Sequence, residues 1–251
     1  MGLAAQMILW DDDFCAALAS RGHRVIRFDN RDVGLSTKCD WAGMPDAAAA
    51  MQAALLGERV DAPYTLPDMA ADAVGLLDAL GIAAAHVVGA SMGGMIAQTI
   101  AIEHPQRVLS LTSIMSTTGN PQVPPAQPQA MTVLLTPSPS ERAAFIDHMA
   151  NSFRVIGSPG FEFDEVSFRD RIGRAFDRSY DPGGVARQLV ASAGGEVHGG
   201  GTQSRQITLD QGIGVRGGHE RSILNEAMPG CGWRPQRSRI ARYPAVINGS
   251  A

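Results

Sequence analysis

His86-Val87-Val88-Gly89-Ala90-Ser91-Met92-Gly93-Gly94-Met95 carries the reading of this chain. An apolar run starting at Ala85 leads into it, short and valine-rich as a buried strand is. The run that leaves it, over 93–103, has the length of a helix and is stopped by Pro105. Between them Gly89-Ala90-Ser91-Met92-Gly93 fits the pattern G-x-S-x-G. In a chain with 28 glycines that pattern alone says little. A strand before it and a helix after it give it content, because together they describe a nucleophile elbow. So sharp a turn needs small neighbours, and Gly89, Gly93 and Gly94 supply them. It would lift the Ser91 hydroxyl above the sheet at a helix N-terminus, where the dipole and free N–H groups favour a developing negative charge. The plainer alternative is a Ser/Gly helix start without chemistry. The context favours Ser91 as a catalytic nucleophile.

Downstream of the elbow, 108–115 reads as a second apolar strand. Upstream, Thr65-Leu66-Pro67-Asp68 starts a helix whose apolar residues Met69, Ala73, Leu76, Leu77 and Leu80 recur at helical spacing until Gly81. An Ala-rich helix is expected over about 46–56, closed by Gly57, and a short one after Asp11-Asp12-Asp13, closed by Gly22. The three aspartates are read as helix N-terminal charge, since neighbours in sequence do not converge on one point. Arg24-Val25-Ile26-Arg27-Phe28-Asp29 reads as a further strand. Strands alternating with helices imply an α/β fold with a mostly parallel sheet flanked by helices. Residues 1–116 are taken as this core. Residues 117–139 are Pro-rich and expected to be irregular, and helices follow near 140–153, 164–178 and 182–192. Together 117–193 is read as a helical lid.

Residues 194–251 differ from everything before them. They hold 12 of the 28 glycines, seven arginines and four acids, so they carry +3 where the remainder carries -7. No helical periodicity runs through them, and the segment is expected to be a poorly ordered tail. The same features are what translation in a shifted reading frame would give.

Bulk properties exclude more than they assign. The net charge of -4 offers no basic surface for nucleic acid or an anionic membrane. Three cysteines without regular spacing, Cys15, Cys39 and Cys231, fit a reducing cytoplasm and no disulfide framework. No metal-ligand spacing appears, and neither metal nor cofactor is expected. The apolar window 82–102 contains His86, Ser91 and Gln98 and reads as core, with no membrane span expected.

Met1-Gly2-Leu3 through Trp10, Arg27-Phe28-Asp29-Asn30-Arg31-Asp32-Val33-Gly34-Leu35-Ser36-Thr37 and the elbow itself resemble the α/β-hydrolase superfamily, over about residues 1–193. The nearest subgroup is similar to the aclacinomycin methylesterase type of small-ester hydrolase. The resemblance implies a partial α/β-hydrolase fold and hydrolysis of a small carboxylic ester through an acyl-enzyme on Ser91. It implies an oxyanion hole from the backbone N–H groups of Met92 and Leu3. For Asp29, Arg31 and Asp32 it implies a structural task in the wall of the site. Cofactor-free perhydrolase or haloperoxidase chemistry would use the same serine.

Two departures stand beside the match. The family has a strand ahead of its oxyanion loop, between the strands matching 24–29 and 85–89, whereas this sequence begins at that loop. Unpaired sheet edges are therefore expected, and self-association through them. After 193 no acid loop or histidine loop of the family's kind is recognisable. Asp210 and His219 are the remaining candidates, and His23, His86, His104 and His148 are read as structural or solvent-facing. The competing reading is a catalytically impaired fragment, or a ligand-binding pseudoenzyme lacking the acid and histidine of the triad.

Overall fold

The computed structural model describes residues 1–119 and 126–194. Its centre is a strand–helix–strand unit: β1 (Ala85–Ala90), α4 (Met92–Glu103) and β2 (Val108–Ile114). The two strands are parallel, with Val87 beside Leu111 and Ala90 beside Ile114. Ahead of this unit lie α1 (Asp12–Ala19), α2 (Ala47–Leu55) and α3 (Leu66–Ala79). After it come α5 (Pro128–Leu135), α6 (Arg142–Ile156), α7 (Glu165–Arg178) and α8 (Pro182–Ala193).

The helices start where local chemistry tells them to. Asp11, Asp46, Asp164 and Asp181 each accept an N–H from their own first turn. Thr65 and Asp68 form a reciprocal capping box on α3, with Pro67 in the first turn. Gly22, Gly57 and Gly81 follow α1, α2 and α3 with φ of +88°, +71° and +65°, the left-handed values that end a helix.

Two expectations fail. Residues 24–29 form no strand, because a strand exists only by pairing and no described strand pairs with this segment. Among the described residues the sheet has β1 and β2 alone. Within the stretch expected to be irregular, α5 forms: Pro128 occupies its first turn, where a fixed φ and a missing N–H cost nothing. The tail over 194–251, with Asp210 and His219, lies outside the described residues except for Gly194, which caps α8.

The core sits between α3 and α4. Met69 and Ala70 of α3 meet Met92, Ile96 and Ile100 of α4, with Cys39, Tyr64 and Ala191 of α8 completing the cluster. Burying a side chain such as Met69 contributes roughly 1.5–3 kcal/mol. On the sheet, α4 packs against both strands. His86, Val88, Thr112 and Ile114, which share one face of the strands, are exposed. Helices α6 and α7 are joined by tilted ring pairs, Phe145 against Phe176 at 5.2 Å and Phe153 against Phe168 at 4.4 Å.

Candidate active site

At the C-terminal end of β1 the chain reverses through Ser91, whose φ of +54° and ψ of -123° no helix or strand adopts. A non-glycine residue held there is strained, and the surroundings hold it. Its N–H donates to Ile114 O of β2 at 2.9 Å. Its carbonyl accepts Gly94 N–H at 2.8 Å and Met95 N–H at 3.2 Å, starting α4.

The three elbow glycines are required by space. A β-carbon at Gly89 would stand 2.0 Å from Gly93 O, and one at Gly93 would stand 2.5 Å from Met1 O. One at Gly94 would meet the Ser116 side chain at 2.6 Å. Gln98 braces the same turn, donating to Gly94 O, Ser113 Oγ and Thr117 O.

The N-terminal residues lie directly on the elbow. A β-carbon at Gly2 would stand 2.9 Å from Ser91 Cβ and 3.4 Å from Ser91 Oγ. Residues 2–5 form a turn closed by Ala5 N–H donating to Gly2 O at 3.1 Å, with Ala4 at φ +58°. The N–H groups of Leu3 and Met92 make no hydrogen bond among the described residues. Both therefore stand uncommitted beside the serine.

The loop from Asp29 to Ser36 is the scaffold of this corner, and its charged residues are fully engaged. Asp29 accepts the N–H groups of Met7 and Leu35 and pairs with Arg178 of α7 at 2.6 Å. Gly34 lies so close that a β-carbon there would overlap the Asp29 carboxylate at 2.2 Å. Arg31 makes a two-pronged pair with Asp72 of α3. Asp32, buried completely, makes another with Arg187 of α8, both contacts at 2.9 Å, and accepts Cys39 N–H. Arg187 also donates to Gly43 O and Asp40, and the carboxylates of Asp32 first, then Asp181 and Asp40, raise its pKa further above the ordinary arginine value. Burial, then the charge of Asp32, pushes the Tyr64 hydroxyl up as well, so that it stays neutral.

The described histidines lie elsewhere. His86 is at the opposite end of β1 from Ser91, with its Nδ1 2.7 Å from Ser110 Oγ and its ring edge-on to His23 at 5.7 Å. His104 caps the C-terminus of α4, and His148 lies within α6. Among the described residues the Ser91 hydroxyl has no hydrogen-bond partner. Asp11, Asp12 and Asp13 do separate work: Asp11 caps α1 and pairs with Arg171, while Asp12 pairs with Arg27.

Sequence reasoning missed the glutamines. Gln6 donates to Ala175 O and Ser179 O of the α7 end and accepts from Arg178. Gln188 of α8 reaches the N-terminal turn across 184 residues of chain. No local pattern announces such a partner.

A sequence model described as the α/β hydrolase fold matches residues 2–150. The chain is 31% identical to the rhodomycin D methylesterases of Streptomyces peucetius and Streptomyces sp. (strain C5). Those matches cover 64% of this chain and 55% of each relative, so the chain spans about half the length of the methylesterases it matches. A Variovorax paradoxus protein provisionally assigned as a carbamate hydrolase is 30% identical, over 76% of this chain and 70% of its own.

Proposed function

The chain belongs to the α/β-hydrolase fold family, and on that premise we propose that it is a serine hydrolase acting on a small carboxylic ester through Ser91. The observation that carries the proposal is the strained Ser91 backbone between β1 and α4, with Gly2 pressed against it. A hydroxyl held at that point can attack the carbonyl carbon of a bound ester. The carbonyl oxygen then takes the negative charge, and the N–H groups of Leu3 and Met92 are the donors assigned to it. Collapse expels the alcohol and leaves an acyl group on Ser91 Oγ; water attacks this ester and releases the acid. The similarity to methylesterases supports an ester over other acyl substrates.

The proton of Ser91 must pass to a base, and no described histidine is bonded to the hydroxyl. That observation favours a second reading, in which the elbow is built but not activated. Removal of one triad member commonly lowers the rate by several powers of ten. Treatment of the purified protein with a fluorophosphonate probe, beside Ser91→Ala, separates the two. Labelling of the native protein that vanishes in Ser91→Ala is the expected result. Equal absence of labelling in both folded proteins would establish the unactivated elbow instead.

A further inference from the structure

Gln188 is 0% exposed, although it lies on the short helix α8, remote in sequence from the elbow. Its Oε1 accepts the Ala4 N–H at 3.0 Å, and its Nε2 donates to Arg31 O at 2.7 Å. Both ends of the amide are used, so its orientation is defined by its partners. Reversing it would set N–H against N–H and carbonyl against carbonyl.

The turn it grips has little freedom left. Gly2 is pressed on Ser91, Ala5 N–H closes on Gly2 O, and Ala4 sits at φ +58°, a left-handed value unfavourable for alanine. Something must hold Ala4 there, and the Gln188 bond does so from α8. The Leu3 peptide lies between these fixed points. With the Ala4 and Ala5 N–H groups occupied, the Leu3 N–H remains available to a ligand.

We propose that Gln188 is a positioning residue that sets the Leu3 N–H as an oxyanion donor over Ser91, and so ties α8 to the chemistry of the elbow. The proposal rests on the reading of Ser91 as a nucleophile. A donor that must meet a charge appearing only in the transition state has to be fixed beforehand, and small misplacements cost rate, not binding. Glutamine suits the position because it alone presents an acceptor and a donor at that reach without charge. A methionine of similar volume would orphan the Ala4 N–H and withdraw the Gln188 donor from Arg31 O.

The test compares Gln188→Met with Val190→Ala, a substitution at another buried residue of the same helix (1% exposed) that has no side-chain hydrogen bond to lose. The readouts are the fluorophosphonate labelling rate, kcat and KM on p-nitrophenyl butyrate, and Tm. Gln188→Met should label and turn over about tenfold to a hundredfold more slowly at unchanged KM. Val190→Ala should lower Tm and leave the labelling rate unchanged. Gln188→Glu supplies a second line should the methionine variant not fold. Its protonated acid offers the same acceptor and donor, so its labelling rate relative to wild type should fall between pH 5 and pH 8 as the acid ionises against Arg31 O. Wild-type labelling by Gln188→Met, an equal loss in Val190→Ala, or a pH-independent Gln188→Glu ratio would overturn the positioning role alone. A wild type no more reactive than Ser91→Ala would overturn the nucleophile reading and this role with it.

Discussion

Under the proposed function, the chemistry of the elbow rests on Ser91 and on Gly2 beside it. The contact between them leaves no room for a methyl group on the second. Gly2→Ala should therefore push the turn off the serine, carrying the Leu3 N–H with it. A loss of about a hundredfold in the fluorophosphonate labelling rate is expected, with Tm changed by only a few degrees. Labelling of Gly2→Ala at the wild-type rate would mean that the turn over residues 2–5 does not serve Ser91. The elbow itself was legible from residues 85–103, because its three glycines and the strand and helix around it are local features. The glutamines were not legible: an amide that bridges Ala4 and Arg31 looks in sequence like any other residue on an amphipathic helix.

At the scale of elements, the loop of Asp29, Arg31 and Asp32 fastens three helices to one corner. Arg31 engages α3, Arg178 of α7 engages Asp29, and Arg187 of α8 engages Asp32. Helix α8 approaches this loop so closely that a β-carbon at Gly184 would stand 2.1 Å from Asp32 O. The Arg187–Asp32 pair is buried on both sides, so removing Arg187 takes from the buried Asp32 carboxylate the cation that bonds both its oxygens. Arg187→Met should cost about 3–5 kcal/mol, read as a shift in the urea midpoint at unchanged slope. A cost under about 1 kcal/mol would show that water reaches Asp32 in the variant. The structural reading of these three residues was available from the sequence, but their partners lie as far as 155 residues away along the chain. Helix limits were legible for the opposite reason, since each cap bonds to its own first turn.

For the molecule as a whole, the described helices α1, α6 and α7 are linked by carboxylates held in the charged form. Asp11 is kept below the usual carboxylate range by the N–H of Asp13 and by Arg171, and Glu141 by the N–H groups of Ala143 and Ala144. Asp164 is lowered by Ser167, Glu165 by Arg169 and Arg154, and Asp177 by Arg142. A carboxylate whose folded pKa lies below its unfolded value adds stability above the unfolded value, about 4, and loses it as pH falls through the folded one. On their account Tm should thus fall below about pH 4; a Tm level from pH 5 down to pH 3 would contradict this. High salt should flatten the fall, because these groups are exposed. Among the described residues no helix is long and apolar enough to cross a membrane. The sequence alone was enough for the α/β class, the elbow at Ser91 and most helix limits, because periodicity, caps and glycine turns act over a few residues. It misassigned 24–29, since strand formation waits on a partner that local propensity cannot supply. What holds the turn over residues 2–5, and which helix bears on it, depended on tertiary structure. Gln6, Arg178, Arg187 and Gln188 find their partners only when the chain returns to the corner it started from.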